Sequence, residues 1–321
     1  MPTYRLLGAL PRQCSDSLAG MPLDPDDASP DWFRNALAAP VVTAATEVRG
    51  CDIAFRKWGD PPKPGILLVH GGGAHSRWWD HVAPYFSQEC RVTALDLSGH
   101  GDSGRRPEYR FEYWAEEIAV LAAETGGGSG QPPVVVAHSL GGFATFCAAA
   151  AYPDAFEGII IVDSPVLEPT PEQEASSHRQ AFGPLKIYPT REAALARFRT
   201  IPEQPSSLPY VTKHVAETSI RQVPGGWTWK FDPAVFSRVG PFRPEVLARV
   251  SCRVAILRGE FGLVTPDIGE DMYELLGRTA PVIEIPLAYH HVMLDRPMSL
   301  ITAVRSLLAD WRHSYAMRTV G

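Results

Sequence analysis

Cysteine is scarce in this 321-residue chain: Cys14, Cys51, Cys90, Cys147 and Cys252 are scattered, odd in number and form no C-x-x-C pair. That pattern argues against a disulfide framework and a zinc cluster and fits a reducing, cytoplasmic setting. Long apolar runs are missing as well. Nothing approaches the roughly 18 residues a membrane span needs, and the start MPTYRLLGALPR carries Arg5 and Arg12 around only a short apolar stretch. Neither a secretory leader nor a membrane partner is expected. A surplus of positive charge is absent too, with 30 Lys and Arg against 36 Asp and Glu, so the clustered cations that neutralise phosphates are lacking and nucleic acid is excluded as a partner.

What the chain has is apolar and aromatic content: 45% hydrophobic residues, with 8 Trp, 10 Tyr and 13 Phe, enough for a sizeable core of roughly two domain-sized units. Residues 1–40 are rich in Pro, Asp and Ser, lack clean periodicity and read as an extension packing onto a later core. From Val41 onward, short β-branched runs alternate with longer amphipathic ones, the pattern of an α/β protein with helices on both faces of a sheet. The spacing predicts strands over 41–48, 52–58, 66–69, 91–95, 133–137, 159–163, 253–258 and 282–286. The last six are short and nearly all apolar, as strands buried on both faces are. Trp114, Ile118, Leu121 and Ala122 recur at helical spacing, as do Leu300, Val304, Leu307, Leu308 and Trp311. GGGSGQPP at 126–133 reads as a surface loop, since no helix follows it and no GK[ST] accompanies it.

Residues 165–245 break the alternation, being far too long for an ordinary connection. They contain a helical stretch at 191–198 and the aromatic cluster Trp227, Trp229 and Phe231, and are expected to form a cap over the carboxyl edge of the sheet. The core is then 41–164 plus 246–321.

The strand PVVVA runs directly into His138, Ser139, Leu140, Gly141 and Gly142 and then into a helical pattern. A strand-to-helix turn this tight needs small residues two before and two after the serine, supplied by Ala137 and Gly141, and leaves the hydroxyl projecting above the sheet. Taken alone, Ser139 also reads as a helix N-cap. At 70–79, HGGGAHSRWW follows the strand ILLV, and its glycines let backbone N–H groups approach a substrate oxygen. Gly72 is the expected oxyanion donor, with Gly73 beside it and Leu140 supplying the second N–H. His70, His75 and His81 are spaced unlike a metal site, and His70 and His100 are expected to brace loops. A base for the serine is available in PLAYHHVMLDRP just after the last strand, where His290 is the better placed and His291 reads as a packing neighbour.

These elements in this order, with the DLSGHGDSG stretch at 96–104, resemble the α/β-hydrolase superfamily over residues 41–315. The resemblance implies a mostly parallel eight-stranded sheet and a Ser, acid, His triad in that chain order. Family members usually carry the acid after the strand at 253–258, but the matching positions here are Gly262 and Leu263, which cannot orient an imidazole, with Glu260 early and Asp267 late. Some relatives carry it instead at the end of the preceding strand, 24 residues after the nucleophile, which points to Asp163, with Glu260 the alternative.

The implied activity is that of a serine carboxylesterase acting on a small molecule, as a monomer or homodimer and without a cofactor. Trp78, Trp79, Trp227, Trp229 and Phe231, with Gly73, are expected to line an apolar or aromatic substrate pocket. A lactonase, a carbon–carbon hydrolase of ring-cleavage products, or a ligand receptor on the same fold are the competing readings.

Overall fold

The computed structural model describes residues 29–168, 185–205, 207–236, 239 and 242–314. Cys14, most of the extension 1–40 and part of the expected cap lie outside the described residues. The chain enters through helix α1 (Asp31–Leu37), which buries Phe33 and Ala36. Strands β1 (Val42–Val48), β2 (Cys51–Trp58), β3 (Gly65–Val69) and β4 (Arg91–Leu95) follow. Helix α2 (Phe111–Gly126), β5 (Val134–His138), α3 (Leu140–Ala151) and β6 (Gly158–Val162) complete the first half. The inserted segment carries α4 (Arg191–Leu195), α5 (Pro209–Thr218) and a hairpin of β7 (Ile220–Val223) with β8 (Gly226–Trp229). The core resumes with β9 (Arg253–Phe261), α6 (Pro266–Leu275), β10 (Val282–Tyr289), α7 (Val292–Asp295) and α8 (Pro297–His313).

Eight strands form one sheet in the order β1-β2-β4-β3-β5-β6-β9-β10, antiparallel at β1/β2 and β2/β4 and parallel from β4 onward. Strands β3, β5 and β6 are buried at every position, because helices cover both faces. The period-two alternation sorts their side chains: Ile66, Leu68, Val134 and Val136 join Leu300, Val304 and Trp311 of α8 in one layer. Leu67, Val69, Val135 and Ala137 join Trp114, Ile118 and Leu121 of α2 in the other. Truncating one such side chain, as in Ile160→Ala, would cost about 2–5 kcal/mol through lost burial and the cavity left behind.

The expected strands match in place, but β9 and β10 run on to Phe261 and Tyr289, pairing once more beyond an irregularity between Ile285 and Tyr289. In the inserted segment the helix expected over 191–198 stops at Leu195, and the β7/β8 hairpin was not anticipated. Asp80 ties this segment to the core: its carboxylate accepts from Arg56 and Arg77 of the core and from His214 of α5, at 3.0, 3.0 and 3.1 Å.

Candidate active site

Ser139 occupies the turn between β5 and α3 with φ 51° and ψ −121°, a strained backbone for a residue with a Cβ. Surrounding bonds hold it there. Its N–H donates to Val162 O at 3.1 Å, and its carbonyl accepts from the Gly142 N–H and the Ser164 hydroxyl at 2.8 and 2.9 Å. The small residue two positions on is a steric requirement, since a Cβ on Gly141 would lie 2.4 Å from the His70 carbonyl oxygen.

His290 follows β10 directly and is buried. Its Nδ1 is 2.7 Å from Asp163 Oδ2 and its Nε2 is 3.1 Å from Ser139 Oγ. The tautomer consistent with the network has Nδ1–H donating to Asp163, leaving Nε2 to accept the serine proton.

Asp163 ends β6 and is completely buried, also at positive φ. A buried carboxylate needs partners, and three backbone N–H groups supply them: Leu263 at 2.7 Å, Gly259 at 3.3 Å and Val264 at 3.3 Å. The turn after β9, where side chains cannot orient the imidazole, therefore serves as a cradle for a carboxylate arriving from β6. Gly262 belongs to that cradle, because a Cβ there would sit 2.2 Å from Asp163 Oδ1. Glu260 is engaged elsewhere, accepting the Leu287 N–H at 2.8 Å, and Asp267 is exposed in the first turn of α6.

Gly72 and Leu140 meet beside Ser139: a Cβ on Gly72 would lie 3.5 Å from Leu140 Cδ2. The N–H groups of both residues have no hydrogen-bond partner among the described residues. Gly73, at φ 71°, makes the sharp turn that follows. The loop is anchored from below by Asp96, which accepts the Ser76 and Asp102 N–H groups at 2.6 and 2.8 Å, and by His70, whose Nε2 accepts the Leu97 N–H at 3.0 Å. His100 bonds the Ser98 carbonyl at 3.2 Å, so both loop-bracing histidines act as expected.

Sequence reasoning overlooked His138. Its Nε2–H donates to the His290 carbonyl at 3.0 Å, and the two rings lie 4.7 Å apart. Burial and the neighbouring imidazoles hold His138 well below the usual histidine range, and the same causes push His291 down to about 3, so both are neutral at physiological pH. Candidate ligand atoms of His138, His290 and His291 fall within 4.8 Å of one another. Both nitrogens of His290 and Nε2 of the other two are already hydrogen-bonded, which leaves only two Nδ1 atoms, those of His138 and His291, short of a closed zinc site.

A cavity of about 460 Å³ opens beside Gly72, Gly73 and His291 and runs under the inserted segment. Trp78, Trp229 and Phe231 line it, together with Tyr188, Phe198 and Phe236, which sequence reasoning missed. Trp79, buried in the core, does not line it, and neither does Trp227. That residue stands next to the Gly225–Gly226 end of the hairpin, where its backbone N–H and carbonyl bond those of Tyr188.

Among family models, that of the alpha/beta hydrolase family matches residues 66–303. The chain belongs to this family. It is 27% identical over 267 residues to the esterase Rv0045c of Mycobacterium tuberculosis, covering 80% of this chain and 86% of that one. It is 25% identical over 265 residues to the sn-1-specific diacylglycerol lipase ABHD11 of Mus musculus, covering 78% and 83%. The solved structure of E-2-(acetamidomethylene)succinate hydrolase superposes with a TM-score of 0.72 at 22% identity, over 84% of this chain and all of the other. The chain is accordingly a hydrolase on the α/β-hydrolase fold.

Proposed function

We propose that this hydrolase cleaves carboxylic esters of small apolar or aromatic substrates through Ser139, His290 and Asp163, with residues 165–245 as its cap. The observation that carries the reading is the unbroken relay Asp163, His290, Ser139, set beside two unpartnered N–H groups at the carboxyl edge of the sheet. Ser139 Oγ attacks the ester carbonyl while its proton passes to His290 Nε2, and Asp163 stabilises the imidazolium that forms. The oxyanion lies against the Gly72 and Leu140 N–H groups, where losing one donor typically costs about 3–4 kcal/mol of barrier. The alkoxide leaves with the proton from His290, and water, activated by the same ring, hydrolyses the acyl-enzyme to acid and regenerated serine. Relatives named as an esterase and a lipase, matched over most of both chains, support ester chemistry.

The test is a panel of chromogenic esters from acetate to long acyl chains, with wild type against Ser139→Ala. Multiple turnovers abolished by the substitution support a serine esterase. If no ester is turned over, lactones and ring-cleavage diketones follow, and ligand binding without turnover would favour a receptor.

A further inference from the structure

The cavity wall is not uniformly apolar. Lys186, Arg197 and Arg199 line it together with the aromatic residues, and no acidic side chain does so among the described residues. Among the described residues none of the three has an ion-pair partner: the Arg199 guanidinium reaches the carbonyls of Ala196 and Phe198, and the hydrogen bond at Lys186 is one its backbone carbonyl accepts from Thr228.

Two cations of the same segment that do not line the cavity are ion-paired instead. Arg191 pairs with Glu217 at 3.5 Å and Lys230 with Asp102 at 2.9 Å. The segment also departs in charge from the rest of the chain. Residues 165–245 hold 10 Lys and Arg against 8 Asp and Glu, whereas the remainder holds 20 against 28. Three cations of this locally positive segment of an acidic protein thus lie along the cavity wall. Clefts with low-dielectric walls focus such a field. Aromatic surface and unpaired cations along the same wall suit a ligand with an apolar body and an anionic end.

Building on the esterase reading, we infer that the substrate is an anionic ester, an acyl or alkyl body bearing a carboxylate or phosphate that Arg197, Arg199 and Lys186 bind while its carbonyl lies at Gly72. The cations supply steering and orientation; the chemistry at Ser139 is unchanged.

The test compares two chromogenic esters of equal acyl length, para-nitrophenyl hemiglutarate and para-nitrophenyl pentanoate, with the uncatalysed rate subtracted. Wild type is expected to favour the hemiglutarate by about tenfold or more in kcat/KM at low ionic strength, with the preference shrinking several-fold in about 0.5 M salt. Arg197→Gln and Arg199→Gln should each collapse that ratio, Arg→Lys should restore part of it, and Arg197→Glu should invert it. A wild-type preference for the pentanoate, or a ratio indifferent to these substitutions, overturns the proposal while leaving the esterase reading intact. Turnover of neither ester counts against the esterase reading alone. In that event calorimetry decides: glutarate binding more tightly than neutral glutaramide, and more weakly to the Arg→Gln variants, supports the anion site, and equal or absent binding overturns it.

Discussion

The carboxyl edge of the sheet and the inserted segment that lies over it are built on different terms. At the sheet edge Ser139 and Asp163 each sit one residue past a fully buried strand and are held from several sides, the Ser139 backbone by bonds at its N–H and carbonyl and the Asp163 carboxylate by three N–H donors. The inserted segment has short helices and a hairpin of two four-residue strands, and it meets the core through aromatic faces and the Asp80 ion-pair cluster. The lesson is one of tolerance. A shift of one ångström at the sheet edge would break the relay, whereas the segment can change shape around the cavity and alter only which molecule fits.

That contrast can be broken at several points. Ser139→Ala should lower kcat by about 10⁴-fold or more with folding retained, as single-turnover and circular dichroism measurements would show. Asp163→Asn, which accepts at one atom only and favours the wrong imidazole tautomer, should cost about 10³- to 10⁴-fold, and Glu260→Gln only a few-fold. Equal, mild losses for the two would place the acid elsewhere, Asp267 being the next to replace.

Next in size is Gly262→Ala. Its new methyl must displace the Asp163 carboxylate, and kcat should fall by about 10²-fold although no reacting group has been removed. In the inserted segment the expected effects are on selectivity. Trp229→Ala should move the preferred acyl length upward, changing relative kcat/KM by about tenfold, while Trp227→Ala, away from the cavity wall, should leave the profile close to wild type.

The smallest effect concerns stability. Asp295 is buried beside the His290 loop, with Oδ2 accepting the Tyr289 N–H and Oδ1 unpartnered. Burial pushes its carboxyl up to about 6 from 3.8. The folded state therefore holds that proton between these values, so stability declines as pH rises from about 4 to 6 and stays lower above. Asp295→Asn should raise Tm at pH 8 by about 2–4 °C and much less at pH 4, measured by differential scanning calorimetry.

The same contrast explains what could be read in advance. Runs such as ILLV and IIIVD are legible because a strand buried on both faces has one composition, and Ser139 and His290 because turn chemistry demands particular neighbours. Asp163 was reached only through a resemblance, since its partners are backbone N–H groups that no side chain at 259–264 announces. The hairpin did leave a signal, Pro224–Gly225 between IRQV and GWTW. Tyr188, Phe198 and Phe236 were invisible for a physical reason. They converge from separate short elements, and no periodicity relates them.

The origin of the acid on β6 has one more consequence. Nucleophile and acid each follow one of the two strands of a single strand–helix–strand unit, so bringing them together closes a loop of only 24 residues, and the entropy of loop closure is correspondingly modest. Only His290 must be recruited from far along the chain, after the whole inserted segment has been traversed. The segment begins immediately beyond that unit, and its exchange for another of different length would leave two of the three reacting groups in place, which makes this protein a natural host for chimeras.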